Sequence, residues 1–282
     1  VGVACSGQCG TRTNNVSMSV FRLAPGEASD VLLFGTGYGC RQKGPACCET
    51  NENSPLDDAL NFDALVRDCL GLEGNVSVEV VVPHGHVDHV GGTQAFLADA
   101  EARDHARPRI VSHENAPLRF DRYIETQGYN TVINQRQFGP NGLGFPNEFV
   151  GPDETFEATH GLRSGDTRIE LRHARGEPDD HAWAWVPDHE AIFCGDLIIW
   201  QFPNAGNPQK VQRYCADWAA ALRKMLALEP EYLLPAHGLP VAGKDRIAAM
   251  LDTTASALEF LQAETIAMDD FVHGSGVARS SV

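Results

Sequence analysis

Basic residues are scarce in this chain. Lysine and arginine number 22 against 38 aspartates and glutamates, leaving a net charge of −16 over 282 residues. No Lys/Arg block interrupts the acidic excess, so nucleic acid and anionic membrane surfaces are poor partners for it. Long apolar runs are missing too; none approaches the roughly 20 residues that cross a bilayer. The start, Val1-Gly2-Val3-Ala4-Cys5, shows no basic region leading into an apolar core. The expectation is a cytoplasmic location without a signal peptide. There is no Gly-x-Ser-x-Gly elbow, which argues against a serine nucleophile. The glycine-rich run Gly35-Thr36-Gly37-Tyr38-Gly39 lacks the Lys-Ser/Thr of a phosphate loop and reads as a turn. The eight cysteines form no C-x2-C pair: Cys5 and Cys9 lie four apart, and Cys40, Cys47 and Cys48 cluster with no histidine near. They read as reduced structural thiols with an occasional disulfide, and Cys69, Cys194 and Cys215 as small core residues.

What is present is enough apolar residue, 43%, for a folded core, and one stretch of concentrated chemistry. Pro83-His84-Gly85-His86-Val87-Asp88-His89-Val90-Gly91-Gly92 places three imidazoles and one carboxylate within six residues, out of 11 histidines in the chain. The β-branched run Val76 to Val82 before it reads as a buried strand, and the residues after Gly91-Gly92 as a helix. The four side chains therefore sit on a tight loop at a strand tip, where polar groups converge without being buried unpaired. Neutral imidazole and carboxylate suit zinc and other first-row divalent ions.

Along the chain, strands are expected at Val16 to Leu23, Val31 to Phe34, Val76 to Val82 and Arg109 to Ser112. Further strands are expected at Thr155 to Thr159, Thr167 to Ala174, His181 to Val186, Ala191 to Cys194 and Tyr232 to Leu234. Asp188-His189-Glu190 reads as a hairpin turn. Helices are expected at Asp57 to Leu70, Thr93 to Arg103, Asn115 to Thr126 (apolar Leu118 and Ile124), Trp218 to Leu228 and Lys244 to Met268, the last with an interruption. Residues 128–152, rich in Gly, Asn, Pro and aromatics, read as an irregular lid or pocket wall. Strands in both halves with flanking helices suggest stacked sheets covered by helices, in a single domain over 1–282.

The pattern His-x-His-x-Asp-His, its preceding strand and its Gly-Gly helix start resemble the metal-binding signature of the metallo-β-lactamase superfamily. Three later segments extend the resemblance. In His173-Ala174-Arg175-Gly176-Glu177-Pro178-Asp179-Asp180-His181, a segment usually reading Pro-Gly-His-Thr, Glu177 stands where the family places a histidine. The alkylsulfatase branch is similar in having glutamate there, so Glu177 is preferred over His173 or His181. Phe193-Cys194-Gly195-Asp196-Leu197 resembles the family's Gly-Asp bridge, and Leu234-Pro235-Ala236-His237-Gly238 its last ligand element. The resemblance spans residues 76–239. It implies an α+β, four-layer αββα sandwich. It also implies two divalent metal ions: one held by His84, His86 and Glu177, the other by Asp88, His89 and His237, with Asp196 between them. Asp88 would orient the metal-activated water, or act as base with a single ion.

Glutamate in place of histidine lowers the charge of such a site by one unit, leaving a two-ion, hydroxide-bridged centre neutral. That should weaken the metal as a Lewis acid and make the site more hospitable to manganese or iron, with zinc the default. The loop from Trp200 to Tyr214 leaves the same edge. Lys210 or Arg213 is expected to meet a negative substrate group, with Tyr123 and Trp200 lining an amphipathic pocket that His113 and Arg119 can also reach. The expected activity is metal-dependent hydrolysis of a small ester-like molecule, sulfate esters foremost and lactones or β-lactams next. A mononuclear-iron thiol dioxygenase on the same scaffold is the alternative of another class. The partner is a small molecule, and self-association into a homo-oligomer is left open.

Overall fold

A computed structural model describes residues 19–22, 31–34, 78–138, 145–164, 166–206 and 212–274. The expected helix at Asp57 to Leu70, the turn Gly35 to Gly39, Lys210, and Cys5, Cys9, Cys40, Cys47, Cys48 and Cys69 lie outside them.

Two sheets form the centre. The first runs β1 (Ser19–Arg22), β2 (Val31–Phe34), β3 (Val78–Val82), β4 (Arg109–His113), β5 (Glu154–Phe156) in spatial order, antiparallel at β1/β2 and parallel elsewhere. The second has strands β6 (Thr159–Ser164), β7 (Thr167–His173), β8 (Ala182–Val186), β9 (Ala191–Ile199), β10 (Tyr232–His237) and β11 (Val241–Ala242) side by side, parallel only at β9/β10. The period of two sorts their side chains. Val81, Val111, Ile169, Ala184 and Phe193 face inward and pack between the sheets. Val80, Val82 and Ile110 face outward against Val90, Phe96, Ala116 and Phe120, which belong to α1 (Val87–Val90), α2 (Thr93–Ala102) and α3 (Asn115–Glu125). Trp183, Ile192 and Cys194 face the other way against α5 (Cys215–Leu226) and α6 (Lys244–Gly274). Helices, sheet, sheet, helices is the expected αββα order.

Strands buried on both faces explain why β8 reads as an unbroken apolar run, and β3 and β9 as apolar runs interrupted only by Glu79 and by Gly195-Asp196. On α6, Ile247, Leu251, Ala255 and Leu258 repeat every three or four residues and are fully buried, which seats the helix along one stripe. Trp218 of α5 is buried, and its indole N–H donates to the Leu197 carbonyl at 2.8 Å, so the large ring leaves no polar group unpaired. Cys194 is a buried free thiol, pushed up in pKa by that burial; Cys215 is a partly buried free thiol.

Several boundaries differ from expectation. Residues 127–138 form a helix, α4 (Gln127–Phe138), so the irregular segment begins later; among the described residues it covers 145–152. Gly128 misled as a breaker: it sits in the first turn, facing open space, where glycine costs little. On α3 the buried face is Ala116, Arg119, Phe120 and Tyr123, while Leu118 and Ile124 are exposed. The strand β6 lies beyond Thr159, because its one buried apolar residue, Leu162, gives too weak an alternation to see. The helix α6 is continuous and extends past Met268.

The strand β9 runs on to Ile199, but its register shifts against β10 around Pro235, which pairs with Gly195. Gly195 has φ +54°, and a Cβ there would lie 2.6 Å from the His181 ring. Cys194 faces the outer helices; this left-handed step breaks the alternation and turns Asp196 toward the loops of the sheet edge instead. Gly195→Ala should therefore cost at least about 2 kcal/mol, from the left-handed backbone and the overlap with His181. Chemical denaturation measures this; an unchanged midpoint would contradict the tight fit.

Candidate metal centre

The loop after β3 is held from below. Asp180, fully buried on the β7–β8 loop, accepts the Gly85 N–H at 2.7 Å and Arg119 Nε at 2.8 Å, and Arg119 Nη2 also donates to Asp179. The Ala182 N–H donates to the Pro83 carbonyl at 2.6 Å. These bonds fix the backbone between His84 and His86, leaving both rings at the sheet edge. Asp88 and His89 follow within α1, Glu177 comes from the β7–β8 loop, Asp196 from the bulged part of β9, and His237 from the end of β10.

The donors gather into two groups. His84, His86, Glu177 and Asp196 form one, and Asp88, His89 and His237 the other; within each group the donor atoms lie within 4.8 Å of one another. The Asp196 carboxylate lies between them. Its Oδ2 is 3.5 Å from His84 Nε2 and 3.2 Å from His89 Nε2, and its Oδ1 is 3.4 Å from His237 Nε2. Asp88 Oδ2 is 3.0 Å from His237 Nε2 and 3.5 Å from His89 Nε2. Glu177 Oε2 faces His86 Nδ1 at 3.9 Å.

The donor set suits a cation on three counts. Burial, followed by the repulsion of neighbouring imidazoles, pulls His84 well below the ordinary histidine value; burial followed by Arg119 does the same to His86. Both rings are thus held neutral, as metal ligation requires. Their facing nitrogens, His84 Nε2 and His86 Nδ1, lie 3.0 Å apart, a distance at which two lone pairs need a proton or a cation between them. Asp196 Oδ1 is buried and accepts no hydrogen bond among the described residues. Burial alone would raise the Asp88 and Asp196 carboxyls, but the positive potential of His89 and His237 outweighs it and holds both below the usual carboxylate range. His89 moves the opposite way: burial lowers it, and Asp196 and Asp88 together more than offset that.

Other side chains anticipated from sequence land differently. Arg213 is directed at Glu177, its Nη2 2.7 Å from Oε1 and its Nη1 donating to the Glu177 carbonyl, so its guanidinium is engaged by that residue rather than held out for an anion. Tyr123 is buried against Phe145, ring centres 5.0 Å apart, and forms part of a wall with Phe149. Trp200 is half exposed and lies over Gly238, beside His237. The His173 Nδ1–H donates to the His181 carbonyl, 2.9 Å away, and the ring stacks on His113; neither ring joins a donor group.

The residue least visible in sequence is His181. Fully buried, it accepts the Asp196 N–H on Nε2 at 3.1 Å and stacks on His84, centres 4.8 Å apart. Burial depresses its pKa to about 3, so it stays neutral and remains an acceptor. No motif marks it; only its place at the start of β8 opposite the bulge gives it this role. Asn204, whose Nδ2 donates to Glu177 Oε1 at 3.1 Å, is hidden in the same way.

Comparisons with known proteins agree with this architecture. A linear primary-alkylsulfatase of Pseudomonas sp. (strain ATCC 19151) is 22% identical over 212 residues, 66% of this chain and 39% of that protein. The sec-alkylsulfatase Pisa1 of Pseudomonas sp., described as stereoselective and inverting, superposes with a TM-score of 0.67 at 16% identity, over 94% of this chain and 43% of that one. A double mutant of PisA1 gives 0.70 at 15% identity with the same coverage. A metallo-beta-lactamase from Pontibacter korlensis gives 0.53 at 18%, over 86% of this chain and 87% of that one. The chain thus spans about two fifths of the alkylsulfatases it resembles. The metallo-beta-lactamase superfamily model matches residues 78–237, running from the first strand of the histidine loop to the last donor. That match covers more than half of the chain, and the chain belongs to the metallo-beta-lactamase superfamily.

Proposed function

We propose that this chain is a metal-dependent hydrolase of small esters, with sulfate monoesters as the preferred class. The observation that carries the substrate class is Glu177, a carboxylate opposite His86 in the first donor group. The chain's relatives named as alkylsulfatases support the same class.

In this reading His84, His86 and Glu177 hold one divalent ion and Asp88, His89 and His237 a second, with Asp196 shared. Zinc is the default, and manganese or iron fits the oxygen-rich first position. Bound metal supplies a water of lowered pKa and polarises the ester oxygens. The chain's own groups do the rest. Asp88, about one-third exposed and so more open to solvent than Asp196, would orient the water by accepting a hydrogen bond from it, or act as base if a single ion binds. His237, also partly exposed, keeps Asp88 in place and lines the same opening. Asp180 and Arg119 hold the first loop rigid, so that His84 and His86 do not reorganise during turnover. Trp200, half exposed beside His237, offers apolar surface for the organic part of the ester. Among the described residues no helix is long and apolar enough to cross a membrane.

Chelator treatment should abolish hydrolysis of a sulfate ester, and added zinc or manganese should restore it. His86→Ala and Asp196→Ala should each lower kcat by about a thousandfold or more, roughly 4 kcal/mol of transition-state stabilisation, with the fold kept by circular dichroism. Parent-like turnover in either variant would sink the assignment. A panel of sulfate, phosphate, lactone and β-lactam substrates checks the class; sulfate esters should give the highest kcat/KM. Metal content of the purified protein should come out near two ions per chain, whereas a single iron with oxygen uptake on a thiol would favour the dioxygenase alternative.

A further inference from the structure

Glutamate at position 177 removes one unit of charge from the site relative to histidine, yet the structure brings a cation to the same carboxylate. The Arg213 side chain is 1% exposed. Its fork spans a single residue: Nη2 lies 2.7 Å from Glu177 Oε1, and Nη1 donates to the Glu177 carbonyl. Asn204 Nδ2 donates to the same Oε1 at 3.1 Å. The backbone sets this up independently, since the Tyr214 N–H donates to the Gly176 carbonyl at 3.1 Å and lays the Arg213 segment alongside the Glu177 loop. The other oxygen, Oε2, is the one that faces His86.

We infer that Arg213 is a positioning residue for Glu177: it holds one carboxylate oxygen, so turning the other toward His86 and the metal position, and returns the charge unit that the glutamate removes. This rests on Glu177 being a metal-binding carboxylate. The physical argument has two parts. A carboxylate with both oxygens available tends to chelate an ion through both and favours hard, oxygen-loving metals; with Oε1 already bonded twice, Glu177 presents a single oxygen, much as a histidine presents one nitrogen. An arginine buried to this degree is costly unless paired, so the glutamate and the arginine stand or fall together. Lysine would return the charge but could not span carbonyl and carboxylate at once. A Glu177–Arg213 pair is then the electrostatic and geometric equivalent of the family's histidine, and the net charge of the first metal position is that of a histidine site rather than one unit lower.

The test is a metal-binding cycle on the metal-free protein, titrated separately with zinc and manganese. The variants are Arg213→Met, Arg213→Lys, Glu177→His and Glu177→His with Arg213→Met. Arg213→Met should raise the manganese-to-zinc affinity ratio about tenfold and move the acidic limb of the sulfatase pH profile up by about one unit, because the freed carboxylate adds negative charge beside the bound water. With histidine at 177 the same Arg213→Met change should no longer raise the ratio, because no carboxylate oxygen is freed, and should improve zinc binding, by removing an unpaired buried cation. Arg213→Lys carries the test if Arg213→Met fails to fold: it should keep the acidic limb in place and still raise the ratio, about threefold. An unchanged ratio in Arg213→Lys, or an Arg213→Met rise in the ratio of equal size with glutamate and with histidine at 177, overturns the inference. Glu177→Ala separates the two claims: parent-like metal affinity there overturns the ligand assignment beneath it, whereas weakened affinity with an unchanged ratio in the Arg213 variants overturns the pairing alone.

Discussion

Everything at the functional edge depends on one buried carboxylate. Asp196 is 4% exposed and touches imidazoles of both donor groups. A buried negative charge is costly unless positive or polar partners converge on it, and here the partners are rings carried by the loop after β3, by α1 and by β10. The aspartate therefore specifies where three separate elements must end. Its own direction is set by the left-handed step at Gly195 and by the His181 ring that accepts its N–H. The sandwich supplies strand ends at one edge, and this local geometry turns those ends into a centre.

The supports around the centre follow the same logic of offsetting buried charge. Asp180 is fully buried and bonded to Arg119 and to the Gly85 N–H, which ties the first loop to the β7–β8 loop that also carries Glu177. Arg213 and Asn204 meet Glu177 from the loop after β9. The donors thus come from five segments, but the supports cross-link these segments in pairs. Such cross-links restrict the donors to one geometry with little freedom to adapt, which favours a centre organised before substrate arrives. The sequence expectation of a charge-depleted site counted only the donors; the tertiary structure adds Arg213 to that count.

Much of the fold was legible because burial on both faces leaves a plain trace. The runs Val76 to Val82 and His181 to Val186 read as strands inside a layered core; the first ends at Val82 as expected, and the second begins one residue later, at Ala182. The histidine loop was legible because its donors lie within six consecutive residues. What stayed hidden had weak local signals. Strand β6 buries a single apolar residue, α4 opens on Gln-Gly, and the seat of α3 depends on Arg119 and Tyr123 facing inward while Leu118 faces out.

The sequence by itself determined stacked sheets under helices and the histidine loop, because hydrophobic period and residue type are local properties of the chain; the four-layer order and the donors Glu177, Asp196 and His237 followed from the resemblance to a family. Only the tertiary structure decided which donors share a group, that His181 buttresses the bridge and that Arg213 belongs to Glu177. Those relations join residues as far apart in the chain as Asp88 and His237 through contacts of about 3 Å, and no local pattern encodes a distance of that kind.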